Sequence, residues 1–196
     1  MMQLEFLKFR AMEPADAKEY RNALNETLDD LRLYKSSLVE NPNTSVKKIN
    51  LTIQANQYFH RTNEDYFVLM NGTHLVAYGY AVQRPNSEWS ELGLWVRKSY
   101  QGKGCGVHML SKLAMHAFEN HTSIGVYVIH DLSNIGMAKT AERLGFKIDR
   151  IRDREPSSEI DAENQKSKKV SGIDFHRSLY RIDMGSLNIG AKLPKA

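Results

Sequence analysis

The most constraining feature of this sequence is a run of three glycines in five residues, Gly102-Lys103-Gly104-Cys105-Gly106. It lies between a strand-like segment, Trp89 to Val96, and an amphipathic segment of about 104–119 with Val107, Leu110, Leu113, Ala114 and Phe118 at helical spacing. A strand that turns through glycines into a helix brings backbone N–H groups together at the helix N-terminus, where the dipole favours an anion. Without Cβ atoms, the loop also lets a ligand approach its backbone closely. Pyrophosphate is the natural guest, and a tight strand-to-helix turn without a ligand is the competing reading. The run is not a P-loop, because Gly102-Lys103 is followed by glycine rather than Ser or Thr. Nor is it a dinucleotide fingerprint, since its glycines lack the G-x-G-x-x-G spacing.

The rest of the chain supplies the setting. Residues 4–10 predict a strand, and Pro14 with Asp16 opens a helix carrying Tyr20, Leu24, Leu28, Leu31 and Tyr34 at intervals of three or four. Asn41-Pro42-Asn43 ends it, and a second helix is expected over about 46–61. Tyr66–Met70 and His74–Val82 read as a hairpin turning at Asn71-Gly72. Beyond the glycine loop and its helix come a strand (Ile124–His130), a short helix (about 135–144) closed by Gly145, and a last strand (Phe175–Met184). This order predicts one mixed α/β domain over residues 1–196. Residues 151–170, ten of them charged, read as a mobile excursion, and 185–196 as a tail.

Composition narrows the function. The chain of 196 residues is 41% apolar, enough for a buried core, and its single cysteine excludes a disulfide framework or a cysteine-rich zinc module. Its longest apolar runs fall far short of a span of about 20 residues, and Glu5, Lys8 and Arg10 interrupt any leader-like stretch. A soluble cytoplasmic protein without membrane contact is expected. The net charge of +4 is weak evidence for nucleic acid. Four bases and no acid lie between Arg97 and Lys112, so the excess gathers around the loop and suits a small anionic cofactor better. Solvated surface cations are the plain alternative.

Two signatures then converge. Gln101-x-x-Gly104-x-Gly106 resembles the cofactor motif of the GNAT superfamily of N-acetyltransferases. About 30 residues on, Asn134-Ile-Gly-Met-Ala-Lys-Thr-Ala-Glu-Arg-Leu-Gly145-Phe146 resembles its second signature. The segment Ala23–Arg32 is similar to the first helix of the RimJ/RimL branch, the ribosomal-protein N-terminal acetyltransferases and their relatives. The resemblance implies a central, mostly antiparallel twisted sheet of about six to seven strands, flanked by helices and splayed at the cofactor strand. It further implies acetyl-CoA as co-substrate. Leu94, Trp95 and Val96 would pair with the pantetheine amides, Gln101, Gly102, Lys103, Gly104, Cys105, Gly106 and Val107 would wrap the pyrophosphate, and Asn134 would hold the pantetheine arm or the substrate. Asn134 and Ser133 are equally well placed as helix N-caps.

An attacking amine must first lose a proton, and the residue best placed to take it is Glu91. Period-two alternation puts it on one strand face with Trp89, Gly93 and Trp95, lining a cleft between indoles. The runner-up is His130, followed by Asp131 at the end of the next strand. In many relatives a tyrosine seven residues after the asparagine protonates the leaving thiolate; here that position is Ala141, and Met137 stands where the branch often has serine. Ser133 acting through water is the remaining substitute. His108 and His116 do not make a metal pair, and no metal is expected. Cys105 sits where backbone rather than thiol makes the contacts. The expected activity is direct transfer of acetyl to a primary amine in a ternary complex, the acceptor being a protein N-terminus or a small amine such as a polyamine or aminoglycoside. An acyl-CoA-binding module without turnover is the alternative, and a homodimer is left open.

Overall fold

The computed structural model describes residues 3–33, 63–121, 123–153 and 176–187. Its elements run in the order β1 (Lys8–Ala11), α1 (Ala17–Leu33), β2 (Asn63–Asn71), β3 (His74–Gln83), β4 (Trp89–Val96), α2 (Cys105–Asn120), β5 (Gly125–Asp131), α3 (Ile135–Arg143), β6 (Lys147–Asp153) and β7 (His176–Asp183). One seven-stranded sheet, ordered β1-β2-β3-β4-β5-β7-β6, holds them together. Every neighbouring pair is antiparallel except β4 and β5.

Local chemistry sets the entry to α1. Glu13 and Asp16 form a capping box around Pro14, and Arg10 grips both oxygens of Asp16 at 2.6 Å. That fork ties β1 to the helix. The inward face of α1 carries Tyr20, Ala23, Leu24, Thr27 and Leu31, packed on Val68, Leu75, Tyr78 and Trp95. On the other side of the sheet α2 buries Val107, Met109, Leu110, Leu113, Ala114 and Ala117 against Leu69, Ala77, Leu92 and Val126. Each face of the central strands is therefore covered, which explains the nearly unbroken apolar run of β3.

Four expectations change. Leu4–Phe6 is a 3-10 turn and the first strand starts only at Lys8. Leu28 is half-buried, and the small Ala23 and Thr27 take the inward positions instead. The hairpin loop is Gly72-Thr73, because Asn71 still pairs with His74 and Gly72 alone takes positive φ, +57°. Residues 147–153 form β6, so the charged excursion does not begin at 151. The segment lacks a strand-like apolar pattern in sequence, and β6 lies at the edge of the sheet beside β7. The expected helix over 46–61, residues 154–170 of the excursion and 188–196 of the tail lie outside the described residues. No described helix is long and apolar enough to cross a membrane.

Candidate active site

The sheet opens at its one parallel seam. β4 and β5 are in register only at Trp89↔Gly125, Ser90↔Val126 and Glu91↔Tyr127, after which the strands part. Leu92 to Val96 therefore have no β5 neighbour, and a cavity of about 400 Å³ lies at the gap. Its walls bring together Leu94, Trp95, Val96, Gln101, Gly102, Gly104, Gly106, Val107 and Asn134, nine of the eleven residues the sequence marks for the cofactor. Lys103 and Cys105 are the two that do not line it. The Lys103 ammonium turns back to the Ser99 carbonyl at 2.7 Å. The Cys105 side chain is buried in the core, and burial pushes its thiol up to about 11, too high for a nucleophile at neutral pH.

The loop presents its backbone. Gly102 and Gly104 take positive φ of +72° and +83°, and Gly104 is the N-cap of α2 with no side-chain cap hydrogen bond. The first N–H groups of a helix have no partner within it, so this uncapped end is a ready anion site. At Gly106 a Cβ would meet Thr140 and Val96 only at ordinary contact distances of 3.5 and 3.6 Å, so no atom of the described residues forces glycine there. Gln101 uses its side-chain amide to hold the Val96 carbonyl at 3.1 Å. Asn134 accepts the Met137 N–H at 3.0 Å, which makes it the cap of α3 as well as a cavity wall.

Charge is distributed differently from the sequence expectation. The Arg97 guanidinium donates to Glu19 at 2.7 Å and Glu26 at 2.5 Å, and Lys98 reaches Asp30 at 2.5 Å. Two of the four bases of the 97–112 cluster are thereby spent on α1. Among the described residues, the cations lining the cavity are Lys139 and Arg143 of α3. Both sit inside the second signature, four residues apart on one helix face, where a base reads in sequence as an ordinary solvated helix position.

Glu91 faces the α1 side of the sheet, three residues before the cavity-lining part of β4. The flanking groups are phenols rather than the expected indoles. Tyr80 donates to Glu91 at 3.2 Å and Tyr127 at 3.4 Å, with Arg84 at 3.5 Å. Trp95 instead packs with Tyr20 and Tyr78, and Trp89 covers Gly125 beneath the Arg181 guanidinium. The reason is Gly93, where a Cβ would lie 2.3 Å from the Tyr80 ring. Glycine lets that ring cross the strand and place its hydroxyl on the carboxylate. Burial, reinforced by Glu91, holds both phenols above the ordinary tyrosine range, so they remain protonated donors. The signal available in the sequence was the alternating Tyr66, Tyr78 and Tyr80 pattern on strands facing α1.

The other acid–base candidates are placed elsewhere. His130 shares the α2-side face of β5 with Val126 and Val128, stacks on Tyr180 and is lowered in pKa by burial. It faces away from Glu91. Ser133 donates to Asp131 at 2.6 Å in an exposed turn, and Ala141 is fully buried in the core.

A sheet opened at a single parallel seam, with an uncapped glycine helix end at the gap, defines an acetyltransferase-type α/β fold. Residues 7–147 match the family model described as an acetyltransferase (GNAT) domain, and the chain belongs to the GNAT family of N-acetyltransferases. The fold is shared with RimL, a ribosomal L7/L12 alpha-N-protein acetyltransferase in complex with coenzyme A (TM-score 0.74, 14% identity, covering 92% of this chain and 95% of that one). It is shared too with a ribosomal-protein-S5-alanine acetyltransferase from Vibrio fischeri (0.69, 17%, 93% and 95%). A third is a spermidine N-acetyltransferase from Vibrio cholerae bound to CoA and spermine (0.69, 17%, 93% and 98%). Comparison with curated protein sequences finds no match.

Proposed function

We propose that this chain transfers the acetyl group of acetyl-CoA directly to a primary amine. The observation that carries the proposal is the cavity at the β4–β5 gap, walled by both sequence signatures at once. In this reading the pyrophosphate lies on the N–H groups of Cys105, Gly106 and Val107, and Lys139 and Arg143 attract the 3′-phosphate. The pantetheine arm runs into the gap along Leu94–Val96, whose backbone pairs with its amides and polarises the thioester carbonyl. The amine arrives from the α1 face, where Glu91 takes its proton. The neutral nitrogen attacks the carbonyl carbon, the nitrogen of the tetrahedral adduct gives up its extra proton to solvent, and the C–S bond breaks to leave the amide and a coenzyme thiolate that takes a proton from solvent. Most of the acceleration comes from holding the two reactants together.

The acceptor class is a protein N-terminus or a small amine, in keeping with the two kinds of neighbour described above. Ala141 at the usual proton-donor position, with Ser133 bound to Asp131, favours a second reading: a module that holds acyl-CoA without turnover. A thermal-shift titration with acetyl-CoA, run beside thiol release over a panel of peptides and polyamines, separates them. Stabilisation with amine-dependent thiol release supports the enzyme; stabilisation alone supports the module; neither signal overturns both.

A further inference from the structure

Near the far end of α2, away from the glycine loop, three metal-ligating side chains converge. His116 Nε2 lies 2.7 Å and His121 Nε2 3.0 Å from the same oxygen of Asp65, and the three ligand atoms fall within 4.8 Å of one another. They come from the C-terminal part of α2 and the start of β2, brought together where the helix crosses the sheet. His116 and Asp65 remain partly open to solvent, with side-chain exposures of 20% and 44%, whereas that of His121 is 3%.

We propose that Asp65, His116 and His121 form a binding site for one divalent transition-metal ion of the zinc class. Two imidazole nitrogens and one carboxylate oxygen are a donor set suited to Zn²⁺ and unsuited to Mg²⁺ or Ca²⁺, which take oxygen ligands. Bonds of about 2.0–2.2 Å in a tetrahedron separate neighbouring donors by about 3.3 Å. The observed 2.7 and 3.0 Å to Asp65 need to open by a few tenths of an ångström, and the two imidazole nitrogens, within 4.8 Å of each other, need to settle at the same spacing. Solvent beside Asp65 supplies the fourth ligand.

The surroundings favour the ion beyond the ligands themselves. His121 Nδ1 lies 2.9 Å from the Ser90 hydroxyl, which is 2.6 Å from that of Ser123, and both serines are buried. Without metal, Asp65 accepts an N–H from each imidazole and Ser90 donates to His121. With metal on Nε2, His121 carries its proton on Nδ1 and donates to Ser90, which turns its own proton toward Ser123. A hydroxyl pair serves both states without moving a heavy atom, and it supplies the outer contact that orients a metal-bound histidine. Asn120 is exposed at the helix end, and its amide, which contacts His116 Nδ1 at 3.2 Å, keeps its hydrogen bond to the His116 carbonyl at 3.1 Å when that ring nitrogen carries the proton. The ion would pin the end of α2 to β2 and, through the His121 contact to Ser90, to β4 beside Glu91.

The test is calorimetric titration of Zn²⁺ into tag-free, chelator-stripped full-length protein, with Mg²⁺ as control and Co²⁺ absorption as a reporter of tetrahedral ligation. One Zn²⁺ per chain with Kd on the order of 1 µM, no Mg²⁺ binding and a tetrahedral Co²⁺ spectrum are expected. H116Q should weaken Zn²⁺ binding at least about tenfold and leave the circular-dichroism melt of the metal-stripped protein nearly unchanged. Should H116Q fail to fold, D65N serves in its place, since an amide still accepts the histidine hydrogen bonds. Absence of Zn²⁺ binding by the wild type, or wild-type affinity in the folded variant, would overturn the proposal.

Discussion

Glu91 and Tyr127 stand opposite one another at the last register pair before β4 and β5 separate, with the Tyr127 hydroxyl 3.4 Å from the Glu91 carboxylate. The acid is thus fixed at the lip of the gap by the same pairing that ends there. Replacing it with glutamine keeps the size and one acceptor oxygen but removes the carboxylate proposed as the base. Glu91→Gln is expected to lower turnover by about 10²-fold or more while leaving the acetyl-CoA dissociation constant within about twofold. Steady-state rates beside calorimetric titration check this, and an unchanged rate at pH 7 would remove Glu91 from the mechanism.

Gly106 and Gly104 are glycines for different reasons, and alanine at each should separate them. At Gly106 a methyl group meets no close atom of the described residues, and alanine suits a helix better, so stability should hold or rise by up to about 1 kcal/mol. In the proposed cofactor pose the methyl would stand where the pyrophosphate approaches, so acetyl-CoA affinity should fall about tenfold or more. Gly104→Ala forces a side chain into φ +83° and should cost roughly 1–2 kcal/mol. Thermal melts with and without acetyl-CoA distinguish the two outcomes.

Arg143→Ala and Lys139→Ala are expected to weaken coenzyme A binding by about 1 kcal/mol or more each, and 3′-dephospho-coenzyme A binding by less. Lys98→Ala should leave both affinities near wild type, because that ammonium is held by Asp30. Equal losses for the two coenzymes in the α3 variants would move the 3′-phosphate elsewhere.

Much of this site was legible in the sequence, and the parts that were not have physical causes. The glycine loop, Asn134 and the strand Leu94–Val96 are local patterns in which neighbouring residues carry the geometry, and they arrive together at one cavity. The Glu91 environment depends on Gly93 admitting a ring from the adjacent strand, which no single segment reveals. The net charge of the loop misled because Glu19, Glu26 and Asp30, some 70 residues away in sequence, neutralise Arg97 and Lys98. β6 escaped notice because an edge strand needs no apolar alternation. His116 found partners in His121 and Asp65 only through packing of α2 on β2.

Acid stability should report the clamp between α1 and the turn after β4. Hydrogen bonds from Ser99 and the Arg97 guanidinium depress the Glu26 carboxyl from 4.5 to about 2. A depressed carboxyl contributes stability that is present above its unfolded value and lost as pH falls through the folded one. The contribution of Glu26 is therefore complete above about pH 4.5 and fades toward pH 2. Glu26→Gln should lower the melting temperature at pH 7, and its melting curve should approach that of the wild type as pH falls through this window. A constant gap between the two across pH 2–5 would contradict the clamp.

The most direct test of acetyl transfer at this site is mass spectrometry of amine acceptors incubated with the protein and acetyl-CoA. Peptides with varied N-terminal residues and small polyamines form the panel, with Glu91→Gln as the parallel reaction. One acetyl group should appear on the nitrogen of at least one acceptor, matched by one released thiol, and should be strongly reduced in the variant. Tight acetyl-CoA binding with no acetylated amine anywhere in the panel, or equal product from the variant, would contradict the account.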